Sequence, residues 1–347
     1  METVWFTIVS LMLATYVVLD GFDFGAGILH LFVAKNDDER RTVITAIGPL
    51  WDGNEVWLLA GGGVLVFAFP KAYAAGFSGF YLPLMLVLWL LVLRGISIEF
   101  RSMEKAPLWR SFWDGVFFLS STLMAIVLGA ALGNVIRGVP IGGDGYFSGP
   151  LFTDFRLGKN PGVLDWYTVT VGLFTLAVLA MHGALYLRMK TEGSVRDRSE
   201  AVVSRLWLAS LVLGIAATVE TVSVRPKLFS QIGASPLGWI LAVAFIACFV
   251  GVRFSLGKSR ESPPFLLSCG FIALMLAATA FGLYPTLLSS TIDPDFDLTI
   301  ANATSGQLSL HVGIVWWILA MILAVGYFIY LFRSFRGKVD LKQDYGH

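Results

Sequence analysis

Residues 19–69 read LDGFDFGAGILHLFVAKNDDERRTVITAIGPLWDGNEVWLLAGGGVLVFAF, and this stretch decides the fold. It holds the end of one long apolar run, a short charged loop at 35–43 and the whole of a second apolar run. A helix needs roughly 20 mostly apolar residues to cross a bilayer, and both runs exceed that. The short loop makes the two helices antiparallel neighbours. Reading outward, nine such stretches cover the chain: 4–34, 44–69, 77–99, 113–137, 163–189, 203–224, 236–256, 264–289 and 308–332. The first has no basic segment ahead of it and reads as a retained helix, not a cleaved signal.

Composition agrees with this reading. The chain is 56% hydrophobic and 14% charged, with a mean hydropathy of +0.74. Soluble domains carry about 25% charged residues, so a soluble globular enzyme is excluded. A net charge of +1 offers no bulk attraction for nucleic acid. Cys248 and Cys269 both sit in apolar runs, and no CxxC or Cys/His cluster marks a zinc, iron–sulfur or disulfide framework. No segment between spans is long enough to bury a core of its own. Chemistry must therefore lie between helices or at their ends.

Positive charge sets the orientation. With the N-terminus outside, the inner segments hold 18 basic residues: Lys35, Arg40, Arg41, Arg101, Lys105, Arg110, Arg188, Lys190, Arg196, Arg198, Arg205, Arg253, Lys258, Arg260, Arg333, Arg336, Lys338 and Lys342. The outer segments hold 6, namely Lys71, Arg137, Arg156, Lys159, Arg225 and Lys227, and Arg94 lies within a span. The bias predicts an N-out, C-in chain.

A charged side chain in hydrocarbon costs at least about 2.5–3.5 kcal/mol, so such residues face the bundle interior and pair. The first three spans hold Asp20, Asp23, Asp52, Glu55, Arg94 and Glu99, and later spans hold almost none apart from Glu220. At about 1.5 Å per residue, Asp20, Asp23, Asp52 and Glu55 all fall roughly 15–20 Å from the inner helix ends. Asp20 and Asp23 share a helix face, as do Asp52 and Glu55. Two readings stand side by side. One is a structural ion-pair network in which Arg94 neutralises a carboxylate. The other is a proton route open to the inside, since crowded carboxyls in low dielectric cannot all ionise. The glycines at 21, 25 and 27 and at 61–63 allow close helix approach.

The histidines are isolated: His30 at the inner end of the first span, His182 in the fifth, His311 opening the ninth, and the terminal His347. No pair stands at ligand spacing and no CxxCH is present, so the chain shows no haem or other metal site of its own. His182 is expected to be hydrogen-bonded to a neighbour.

Three stretches carry a family resemblance: Asp20-Gly21-Phe22-Asp23-Phe24-Gly25-Ala26-Gly27, Gly48-Pro49-Leu50-Trp51-Asp52-Gly53-Asn54-Glu55-Val56-Trp57, and Arg94-Gly95 through Phe100-Arg101-Ser102. With the loop Lys35–Arg41, the segment Phe77–Tyr81 and Asn302-Ala303-Thr304-Ser305-Gly306-Gln307-Leu308, the chain resembles subunit II of the cytochrome bd-type quinol oxidases. Some relatives carry Asp where Asn302 stands. The resemblance implies an all-α, polytopic membrane protein of nine transmembrane helices in two four-helix bundles (1–137 and 163–289) plus one extra helix (308–332). It implies a heterodimer in a prokaryotic plasma membrane that oxidises quinol and reduces dioxygen to water. Two b haems and one d haem belong to the larger subunit I. Subunit II serves assembly, and the family pattern leaves room for a structural quinone in a lipid-facing groove and for a small accessory subunit. The resemblance implies that Asp52 lines a proton route from the cytoplasm and that Trp57 stands at the entrance of an apolar oxygen route. A proton-coupled secondary transporter is the competing reading. It would place substrate-binding half-helices in two corresponding repeats, whereas polar content here is confined to one third of the chain.

Overall fold

The computed structural model describes residues 1–257 and 260–339. Lys258, Lys342 and His347 lie outside the described residues. Twelve α-helices follow one another: α1 (Glu2–Val33), α2 (Asp37–Ile47), α3 (Trp51–Ala68), α4 (Pro70–Gly79), α5 (Tyr81–Phe100), α6 (Pro107–Arg137), α7 (Trp166–Lys190), α8 (Gly193–Val224), α9 (Pro226–Gly233), α10 (Pro236–Ser255), α11 (Ser262–Leu283) and α12 (Gln307–Ser334). A small antiparallel pair, β1 (Thr286–Leu288) and β2 (Leu298–Thr299), folds between the last two. Prolines open α4, α6, α9 and α10, where the missing N–H would be unused. Among the described residues, eight helices are long and apolar enough to cross a membrane: α1, α5, α6, α7, α8, α10, α11 and α12. The protein is a multi-pass membrane protein. α3, with 18 residues, is not among the eight, because Asp52, Asn54 and Glu55 crowd its first turns.

Several sequence-based boundaries need correction. The loop expected at 35–43 is mostly helix α2, whose first turn is capped by the Asn36 side chain accepting the Glu39 N–H at 2.9 Å. Asp37, Asp38 and Glu39 then complement the positive end of the helix dipole. The run 44–69 is broken at 48–50, where Pro49 has no N–H to continue the helical hydrogen bonding. The run 77–99 breaks at Phe80, and α5 restarts so that Pro83 falls in its first turn. The run 264–289 stops at Leu283, just before Pro285. α8 begins ten residues earlier than its apolar stretch, as a charged extension beyond it.

α1 is the central helix and packs on α3, α6, α7 and α11. Its crossing with α7 is backbone against backbone. A Cβ on Gly25 would meet the Leu179 carbonyl at 2.1 Å, and one on Gly183 would meet the Gly25 carbonyl carbon at 2.2 Å. Small residues let helices approach this closely where no hydrophobic drive between helices exists. Through the contacts of α7 with α1 and α6, and of α11 with α1, the two halves of the chain form one packed body. α12 lies outermost and buries almost none of its length.

The basic ends gather at one side of the bundle. Arg198 donates to the Val33 carbonyl at 2.8 Å and pairs with Glu39 at 2.5 Å, stapling α2 to α8. That hydrogen bond holds the Glu39 carboxyl below its ordinary range. At the opposite end, loop 138–162 meets the β1–β2 segment, where the Val139 N–H donates to the Ser289 carbonyl and the Ser290 hydroxyl to the Ile141 carbonyl.

The α1–α7 crossing should tolerate no side chain. Overpacking typically costs about 1–3 kcal/mol. Gly183→Ala should lower the thermal midpoint of the detergent-solubilised protein by several degrees. Gly62→Ala, with nothing within 4 Å of its added carbon, should leave it unchanged. Equal midpoints for the two variants would contradict the tight crossing.

Candidate functional site

Tyr16, Asp20, Asp23, Gly27 and His30 follow one another at spacings of four and three, which puts them on one stripe of α1. All are buried. α5 brings Arg94 to this stripe. Its Nη1 donates to Asp20 Oδ1 at 2.5 Å, its Nη2 to Glu55 Oε2 at 3.3 Å, and its guanidinium carbon lies 4.3 Å over the Phe24 ring. α3 brings Asn54, whose Nδ2 donates to Asp23 Oδ2 at 2.8 Å and to the Leu19 carbonyl at 3.2 Å. Asp23 Oδ1 and Asn54 Oδ1 have no hydrogen-bond partner among the described residues. One guanidinium thus pairs with two carboxyls, and Asp23, a third acid on the same stripe of α1, is held only by a neutral amide.

Four of the sequence-predicted residues therefore meet: Asp20, Asp23, Glu55 and Arg94. Asp52 does not join them. The break at Pro49 puts it in the first turn of α3 rather than deep in a continuous span, and its side chain lies on the exposed face. Glu55, three residues on and about 60° around the helix, is half-buried between that face and Arg94. Glu99 is half-buried in the last turn of α5. Trp57 is buried on α3, with its ring 5.6 Å from that of Phe328. It flanks an apolar groove of about 270 Å³ lined also by Leu19, Val325, Ile329 and Phe332.

Sequence reasoning missed two features. Asn54 sits between the two acids of its motif, and its polarity alone marked it as a candidate partner. The second is Asp114, buried on α6. It accepts from Arg101 Nε at 2.6 Å and Arg40 Nη1 at 2.9 Å, and lies 2.6 Å from His30 Nε2. Arg101 and Arg110 both continue to Asp37. With Arg137, which pairs with Asp165 and donates to Asn134 Oδ1, this corrects the expectation that later spans lack charge. Charges at the ends of apolar runs look like loop residues in a hydropathy reading, yet both sites tie helix ends together.

His182 is bonded on both nitrogens: Nδ1 lies 2.7 Å from the Ser268 hydroxyl and Nε2 3.0 Å from the Val18 carbonyl. Its ring stacks on Phe265 at 5.0 Å. His311 is exposed, with Nδ1 2.8 Å from the Gln307 carbonyl. Asn302 closes the turn after β2, accepting the Thr299 N–H and donating to the Asp297 carbonyl, both at 2.8 Å.

Removing one partner of the Asp20–Arg94 pair leaves a buried charge and should cost about 3–5 kcal/mol. Arg94→Gln and Asp20→Asn should each be strongly destabilising. The double variant should cost less than their sum in unfolding measurements in micelles. Additive losses would mean the two side chains are not coupled.

Residues 1–335 match the family model described as cytochrome bd terminal oxidase subunit II. The chain is 30% identical to the probable cytochrome oxidase subunit 2 of Haemophilus influenzae over 97% of its own length and 94% of that protein's. It is 29% identical to cytochrome bd ubiquinol oxidase subunit 2 of Bacillus subtilis, covering 99% and 98% of the two chains. Against cytochrome bd-I ubiquinol oxidase subunit 2 of Escherichia coli K12 the identity is 29%, with 93% and 90% covered. The fold is similar to a chain of the bd oxidase from Geobacillus thermodenitrificans, with a TM-score of 0.76 at 19% identity over 96% and 98% of the chains.

Proposed function

The chain belongs to the cytochrome bd terminal oxidase subunit II family and is a subunit of a quinol-oxidising, oxygen-reducing enzyme; from that premise, we propose that it is the haem-free subunit and that its buried carboxyl cluster serves proton access. The relatives are named as quinol oxidase subunits, which disfavours the transporter reading. In this reading the two b haems and the d haem are held by subunit I and supply the redox chemistry and oxygen activation when bound. The environment of His182 supports it, because neither nitrogen faces outward for a metal. His30 is bonded to Asp114 through Nε2, while its Nδ1 is buried with no hydrogen-bond partner among the described residues.

The observation that carries the proton role is Glu55, half-buried between the exposed helix face that holds Asp52 and the buried Arg94. Asp52 is exposed on a helix face, and a carboxylate facing lipid is costly. A partner subunit or water must cover that face. Glu55 stands at the next position and touches Arg94. Arg94 stabilises the Asp20 carboxylate as an anion, which leaves Asp23 and Glu55 to share a proton in a low-dielectric site. Asp52 exchanges protons with water at the basic end and Glu55 relays them to the buried carboxyls. Asp23 and Asn54 hold the inner end of the network, and Glu99 adds a carboxyl near the mouth. Trp57 and the apolar groove beside it suit passage of dioxygen while excluding water. In the same reading α3 completes nine spans in two bundles and an outer helix, with the N-terminus outside. A structural quinone and a small accessory subunit are compatible additions to the complex.

Asp52→Asn keeps shape and hydrogen bonding but cannot ionise. The assembled oxidase carrying it should show normal haem content, reduced oxygen consumption with quinol, and a shifted pH profile. Loss of haem would assign Asp52 a structural role. Normal turnover at every pH would refute the relay.

His182→Ala should leave the haem spectrum of the assembled complex unchanged. Loss of one haem signal would overturn the haem-free assignment.

A further inference from the structure

After α12 the chain folds back across the basic end of the bundle. The Val339 N–H donates to the Lys190 carbonyl at 2.8 Å, and Lys190 Nζ donates to the Phe335 carbonyl at 2.6 Å. Lys338 Nζ donates to the carbonyls of Arg188 and Thr191 at 3.3 and 3.1 Å and pairs with Glu261. Between this strap, the end of α7 and the α2–α3 turn lies a notch lined by Thr45, Pro49, Leu50, Lys190, Arg336 and Lys338, among others. Among the described residues three cations line it and no carboxylate does. Its enclosed part is about 20 Å³, room for one water or a single phosphate oxygen, and the rest is open.

Two further observations indicate what enters. Arg336 is exposed and makes no hydrogen bond or ion pair among the described residues, so it takes no part in holding the strap. The notch also sits where α7 and α12 end and α3 begins, and below it α12 presents Leu319, Leu323 and Tyr330 on one outward face. A cationic recess above an exposed apolar helix face matches an amphiphile with an anionic head.

We infer that this notch binds the phosphate of an anionic phospholipid headgroup, whose acyl chains lie along the outer face of α12. Lys190 and Lys338 are fixed by the backbone carbonyls they serve, and Arg336 is free to close a bidentate contact on the phosphate. Basic pockets between transmembrane helices recognise such headgroups, and each cation near the surface contributes roughly a fivefold change in affinity. The site does not depend on the proton reading.

The test uses the assembled oxidase in nanodiscs of phosphatidylcholine, with or without phosphatidylglycerol, and counts retained lipid by native mass spectrometry. Phosphatidylglycerol should be retained preferentially and raise the thermal midpoint. Arg336→Gln should weaken its retention about fivefold, Arg336→Lys should largely keep it, and added salt should weaken it. Equal retention of the two lipids, or undiminished retention in Arg336→Gln, would overturn the assignment. So would stabilisation by inorganic phosphate alone in phosphatidylcholine discs, which would mark a free-anion site. Impaired subunit assembly in Arg336→Gln with lipid retention unchanged would mean that a partner's carboxylate fills the notch, and would equally overturn it.

Discussion

A guanidinium in the interior of a membrane protein must be neutralised where it stands, and Arg94 is fully buried. That requirement organises the helices around it. α1 supplies Asp20, α3 supplies Glu55, and the Phe24 ring covers the guanidinium face. The attraction does more than hold α5 against α1. It fixes the register of three helices at once, since sliding any of them by one residue would turn its charged group away from the others. Because two carboxylates answer one cation and Asp23 adds a third acid, the same arrangement that stabilises the fold leaves surplus proton-binding capacity. The ion pairing that holds the helices and a role in proton access are compatible at this site.

α1 can serve as the hub because its sequence alternates two needs. The stripe from Tyr16 to His30 carries the polar groups toward α3, α5 and α6, while Gly25 lets α7 approach to backbone contact on the other side. The polar stripe ends at His30 on Asp114, whose partners Arg40 and Arg101 anchor α2 and the end of α5. One helix thus connects a deep carboxyl cluster with a cation-rich rim. Asp114 is met by two arginines and His30, so it acts as a latch for helix ends.

Much of this was legible in the sequence, for stated reasons. Apolar runs gave α1, α6, α7, α10 and α12 within a few residues of their observed ends, except where charged first turns extended α6, because hydropathy reports burial in lipid directly. The grouping of Asp20, Asp23, Glu55 and Arg94 followed from the cost of an unpaired charge in hydrocarbon. The position of Asp52 did not follow. Hydropathy carries no information on which face of a helix is covered, and the run 44–69 concealed a break that Pro49 imposes. Pro83 hid the α4–α5 break in the same way. Asp114 and Arg137 escaped because a charge at the edge of a run looks the same whether it faces water or another helix. What covers the exposed face of α3 is not written in its apolar pattern, because hydropathy does not separate water, lipid and protein contact on a helix face.

The central claim is that the Arg94-centred network holds an exchangeable proton on one of its carboxyls. Infrared spectroscopy of the assembled oxidase, following the carbonyl stretch of protonated carboxylic acids in light and heavy water, tests it directly. A deuterium-sensitive carboxylic acid band at neutral pH should be present and should vanish or shift in Asp23→Asn or Glu55→Gln, while Asp20→Asn perturbs it only through Arg94. A spectrum without such a band, or one identical in all three variants, would show that every carboxyl of the cluster is ionised or that the proton resides elsewhere, and would contradict the account.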